Sequence, residues 1–146
     1  MEQTVRSLAG ALGIEPVADV RCRETDGEGW FAEDDFVALV HRFHLVPSSP
    51  PSPRWESASA AGTRFVAALR QLTAAAPRDG STLVCSGGRV LTAALLELDV
   101  VDRRGAHATW RRLAMPDACL LELDAVGRAE LVSPFGSTLR RVNASR

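Results

Sequence analysis

Ser86-Gly87-Gly88-Arg89 is the stretch where residue type and spacing could do chemistry. It follows a short apolar run, Leu83-Val84-Cys85, and precedes a helical pattern that begins at Arg89 or Val90. A strand, a tight glycine turn and a helix point backbone N–H groups at a ligand and favour an anion at the helix start. Gly87 and Gly88 therefore read as phosphate-binding backbone. Arg89 adds a cation if it turns inward, and adds nothing if it faces water from the first turn.

Neighbouring nucleophiles fit less well. A serine elbow needs glycine two residues before the serine, and that position holds Val84. A phosphatase cysteine loop needs arginine six residues after Cys85, where Leu91 stands. His41 and His44 have an i, i+3 spacing that can bind metal, but no third ligand stands near them in sequence. No metal or other cofactor is expected.

These groups need elements to position them. Val5, Leu8, Ala9 and Leu12 make one apolar stripe over Glu2–Leu12, and Gly13 stops that helix. Val17–Cys22 is a strand candidate, followed by a polar loop, Glu24–Trp30. Ala32–Phe43 reads as a helix with Phe36, Val37, Val40 and Phe43 on one face and Glu33, Asp34 and Asp35 in its first turn. Val46–Arg54 carries four prolines among nine residues, so it is an irregular stiff loop, either a lid or a plain connector.

Glu56–Ala76 is a long helix with Phe65, Leu69, Leu72 and Ala76 inward and Arg64, Arg70 and Gln71 outward. Gly62 within it needs a close neighbour to justify its cost. Ser81–Cys85 is the strand leading into the glycine turn, Asp102–Arg112 is polar and partly helical, and Cys119–Leu123 with Ala129–Ser133 forms a hairpin. Helices alternating with strands imply an α/β fold. The expected architecture is a three-layer αβα sandwich, mostly parallel, with a C-terminal antiparallel hairpin.

Length and charge narrow the partners. The 146 residues make one expected domain, with the proline-rich loop at 46–54. The net charge of −1 offers no basic field for nucleic acid or an acidic membrane. All 17 basic residues are arginine, which with abundant alanine points to a GC-rich bacterial genome. Three cysteines without metal spacing read as reduced thiols, and the expectation is a cytoplasmic protein without a membrane span.

The collinear order of four stretches resembles the histidine phosphatase superfamily, the phosphoglycerate-mutase-like fold. They are QTVRSLAGALGIEPVADVRCRETDGEGW, WESASAAGTRFVAALRQL, STLVCSGGRVLTAALLEL and the closing WRRLAMPDACLLELDAVGRAELVSPFGSTL. The resemblance implies phosphate transfer or hydrolysis through a phosphohistidine. It places Glu24 at the proton-donor position and Glu56 near the pocket, with Trp30 and Trp55 beside them. It puts Ser86 where the family has its second histidine.

The family's Arg-His-Gly nucleophile segment and first strand would fall before Met1. Arg-Cys-Arg-Glu-Thr at 21–25 is not that segment, because Cys22 replaces histidine and the order of elements is wrong. Phosphohistidine chemistry needs an imidazole and a cationic cage. The chain is thus expected to be a phosphatase-like protein, impaired or inactive as it stands. The alternative is a non-catalytic module that binds a phosphorylated ligand or a protein. The expected partners are a phosphorylated small molecule, and a second copy or another protein covering the gap left by the first strand.

Overall fold

The structure is a computed structural model. It describes residues 2–25, 27, 29, 31–77, 80–114, 116–124 and 127–136. Trp30, Asp79, Ala125, Val126 and the tail from 137 lie outside the described residues.

Among these, the chain forms helices α1 (Glu2–Leu12), α2 (Glu33–Leu45), α3 (Ala58–Ala75), α4 (Gly88–Glu97) and α5 (Arg103–Arg112), with strands β1 (Leu120–Leu123) and β2 (Ala129–Ser133). A single 3-10 turn spans Val20–Cys22. This mixture of helices and strands is consistent with an α/β fold, and no helix among the described residues is long and apolar enough to cross a membrane.

Each helix has a local reason. Ser57 caps α3 by accepting from Ala60 N, and Asp102 caps α5 by accepting from Gly105 N at 2.6 Å. α2 opens with Glu33, Asp34 and Asp35, whose charges suit its positive end. The polar stretch before Leu113 is a full helix rather than a partial one. At the hairpin, the chain reverses at Gly127, whose φ of +83° suits glycine. Arg128 N donates to Asp124 Oδ1 at 2.8 Å.

The core sits where α3 crosses α4. Phe65, Val66, Ala61, Val90, Ala93 and Ala94 fill it, Phe43 of α2 joins from one side, and Leu121 and Leu123 of β1 pack against it. Gly62 explains itself here: a Cβ would stand 2.8 Å from the Ala93 carbonyl oxygen. Alanine at 62 would push the helices apart.

Several expectations change. Val17–Cys22 is not a strand, because Asp19 accepts from Arg21 N at 2.8 Å and turns the chain into the 3-10 element. Ser81–Cys85 is not a strand either: it has no ladder partner among the described residues, and a strand exists only as half of a ladder. The sheet is the two-stranded β1–β2 hairpin, antiparallel, with Leu121 opposite Leu131 and a register irregularity between Leu120 and Leu121. The stripe of α1 is also largely outward. Ala9 is buried, whereas Leu8 and Leu12 are exposed.

The buried face of α3 is rotated from the expected one. It runs through Ala58, Ala61, Gly62, Phe65, Val66 and Ala68, while Leu69 is only partly buried. That rotation brings Arg64 inward.

Candidate functional site

The site is built at the first turn of α4. Gly87 is the N-cap residue and carries no side chain that could cap the helix. The capping group arrives from residues 21–25, across the fold. Glu24 Oε1 accepts from Val90 N at 3.0 Å, and Glu24 Oε2 accepts from Arg89 N at 3.2 Å. A third N–H, that of Thr25, donates to Oε1 at 2.7 Å. The carboxylate satisfies donors that every helix start leaves open. Gly87 permits this seat, since a Cβ there would overlap Glu24 Oε2.

Arg89 turns inward. Its guanidinium lies 4.6 Å from the Trp55 ring centre and 5.8 Å from that of Phe36. Nη2 donates to the Thr25 carbonyl at 3.2 Å, and Nε stands 3.9 Å from Glu24 Oε2. Burial pulls the Arg89 pKa below its ordinary value, and the Glu24 carboxylate pushes back. Arginine remains charged at neutral pH under such shifts.

Two buried polar atoms on residues that contact this cation have no hydrogen-bond partner: Thr25 Oγ1 and Trp55 Nε1. Both residues are almost wholly buried, at 4% and 5% exposure. Gly27 packs tightly against the same group. A Cβ on it would stand 2.9 Å from Arg89 Nη1 and 3.2 Å from Trp55 Nε1.

The loop bearing Glu24 is clamped by Arg64 of α3. Arg64 Nη1 donates to the carbonyls of Arg21 and Arg23 at 2.6 and 3.0 Å, and Nη2 donates to that of Glu24 at 3.2 Å. Glu56 in turn holds Arg64 by a two-pronged pair at 2.9 and 2.8 Å. Both side chains are largely buried, at 17% and 14% exposure. Glu56 thus acts on the loop through Arg64.

Ser86 is also structural. Its hydroxyl donates to the Cys22 carbonyl at 2.5 Å and ties the glycine turn to the 3-10 element. Burial foremost raises the Cys22 thiol pKa, the opposite of what a nucleophile needs.

The histidines gather elsewhere. The His41 and His107 rings are 4.6 Å apart, and His44 and His107 are 5.9 Å apart, between α2 and α5. His44 is wholly buried and commits both nitrogens. Nδ1 lies 3.0 Å from the Val40 carbonyl, which can only accept, so the proton sits there. Nε2 then accepts from Thr92 Oγ1 at 2.9 Å. Burial drives the His44 pKa down to about 4. His44 is neither a ligand nor a nucleophile; it ties α2 to α4.

A family model describing the histidine phosphatase superfamily (branch 1) matches residues 1–133, nearly the whole chain. The chain belongs to the histidine phosphatase superfamily. No curated protein and no solved structure matches it.

For this superfamily member, the structure brings Glu24, Gly87, Gly88 and Arg89 to one turn, with Glu56 one residue further out and Ser86 facing the 3-10 element. Arg64 and Phe36 were not expected there. Arg64 gave no local signal, since its partners lie 8 and about 40 residues away. Phe36 was readable only as part of an apolar stripe.

Proposed function

We propose that this superfamily member recognises a phosphorylated small molecule at the start of α4 and hydrolyses it slowly or not at all. The observation that carries the reading is the convergence of Arg89 N, Val90 N and the half-buried Arg89 guanidinium on one carboxylate. Groups that hold a carboxylate this way suit a phosphate oxygen equally well. Slow or absent turnover follows from the residues available. The sequence holds three histidines, and they lie on α2 and α5 in contact with one another. Ser86, which the resemblance puts at the second-histidine position, donates its hydroxyl hydrogen bond to Cys22 O.

The decisive experiment pairs p-nitrophenyl phosphate hydrolysis with calorimetric titration of inorganic phosphate, both on the full chain. The expected result is phosphate binding with turnover at background. Rapid turnover, far above background, that disappears in Glu24→Gln would overturn the reading of slow or absent hydrolysis.

A second reading rests on exposed apolar side chains. Val17 is 89% exposed, Val20 74% and Leu83 56%, all on the segments expected to be strands of the three-layer sandwich. A protein partner or a second copy packed along these segments would cover them. Size-exclusion chromatography with light scattering separates a self-associating chain from a monomer.

A further inference from the structure

We propose that Glu24 is an internal plug: its carboxylate fills the oxyanion cage at the start of α4 and must swing out before a phosphate can enter. This rests on the phosphate-binding reading above and adds a regulatory contact to it.

Three observations carry it. The donors available to an anion at this turn, Arg89 N and Val90 N, are already taken by the two oxygens of Glu24. The carboxylate lies against the Cα of Gly87, in space that any other residue at 87 would claim for its own Cβ. The surroundings nevertheless retain unmet donor capacity: Trp55 Nε1 and Thr25 Oγ1 are buried without partners, on residues that meet the Arg89 guanidinium through the indole ring and the Thr25 carbonyl. A carboxylate has two oxygens and satisfies the backbone donors alone. A phosphate has three free oxygens to offer, so it can take those donors and reach further towards Arg89.

The swing is confined to a side chain. The backbone of residues 21–24 is pinned by Arg64, and Glu24 itself is pinned through its carbonyl, not its carboxylate. The loop therefore stays in place while the side chain leaves. When the competent state is a minor one, apparent affinity falls by the fraction of molecules that populate it. A seat occupied nine times in ten weakens phosphate binding about tenfold.

The test is calorimetric titration of inorganic phosphate into the full chain and three variants, Glu24→Ala, Glu24→Gln and Glu24→Asp. Far- and near-UV circular dichroism establish that each variant is folded. The expected result is binding about tenfold tighter in Glu24→Ala than in the unaltered chain. Glu24→Gln loses the charge and Glu24→Asp loses a methylene of reach, so both fall between. Either keeps the test decisive should the alanine variant fail to fold.

Equal affinity in the unaltered chain and the folded variants would overturn the plug and leave the phosphate site standing. Weaker binding in the variants would overturn it too, and make Glu24 a positioning residue for the ligand. No binding in any of the four proteins would overturn the phosphate site and the plug together.

Discussion

Where α3 crosses α4, Gly62 meets the Ala93 carbonyl so closely that a Cβ would stand 2.8 Å away, and Phe65, Val66, Val90 and Ala94 fill the rest. Where residues 19–25 cross the first turn of the same helix, the contacts are polar. Glu24 holds two N–H groups, Arg64 holds three carbonyls, and Ser86 holds one more. The first contact is made by volume and tolerates no new atoms. The second is made by a few directed bonds, each of which can be removed alone. The open N–H groups of a helix start need acceptors that methyl groups cannot supply, so polar hooks do the holding.

The sharpest break in that comparison is Arg64→Met. It removes the bonds to the carbonyls of Arg21, Arg23 and Glu24 and leaves the mostly buried Glu56 carboxylate without this partner. Breaking one side of such a pair should cost roughly 3–4 kcal/mol. A double variant, Arg64→Met with Glu56→Gln, should recover part of that loss by removing the stranded charge. Arg70→Met, on the exposed side of α3, should stay within about 0.5 kcal/mol. Urea denaturation midpoints at pH 7.0, taken as an assay condition of about neutral pH, measure all three. An Arg64→Met protein as stable as Arg70→Met would show that the loop is held by something other than the clamp.

The elements marked by large apolar residues were legible in sequence, and the contacts made by small and polar residues mostly were not. The periodicity of Phe36, Val40 and Phe43 located α2, and the hairpin pattern of two short runs about a glycine-containing loop located β2, because both signals are local. The glycine turn and the family pattern point to Gly87, Gly88 and Glu24, and the structure brings the Glu24 carboxylate to that turn. Arg64 was placed outward because the stripe of α3 was read through Leu69 and Leu72, which are less buried than Ala61 and Ala68. Small residues carry little weight in a hydrophobic pattern, yet they line the closest helix contact. The strands expected at Val17–Cys22 and Ser81–Cys85 failed for a related reason. Their apolar residues mark β propensity, but a ladder needs a neighbour that propensity cannot supply.

A second, smaller break lies in the link between α2 and α4. His44 is neutral in the fold, with its pKa depressed to about 4 against 6.5 for an ordinary histidine. The unfolded chain therefore binds a proton before the folded one does. The His44 contribution is fully present above about pH 6.5 and is lost as pH falls towards 4. The expected loss across that window is up to about 3 kcal/mol. His107 shifts the same way, through burial first and then the nearby His41 and Arg111 charges. Urea midpoints from pH 7 down to about 4 should fall steeply in the unaltered chain. In His44→Gln the fall should be shallower, from a lower starting stability. An unchanged slope would mean that other groups carry the acid sensitivity.

The smallest effect separates a neutral hook from the charged ones. Ser86→Ala removes one hydroxyl and leaves the Cys22 carbonyl without the bond that Ser86 makes at 2.5 Å. A neutral hydrogen bond of this kind is worth about 1 kcal/mol net, which for a chain of this size corresponds to roughly 3 °C in Tm. The location of the loss matters more than its size. Glu24 still caps α4 through Arg89 N and Val90 N, and Arg64 still pins the loop, so the helix start should keep its protection. Hydrogen exchange should then quicken at the 3-10 element around Cys22 and stay unchanged along α4 from Leu91 to Leu95. Faster exchange throughout α4 would mean that the serine, rather than the carboxylate, holds the turn together, and the division between charged and neutral hooks would fall.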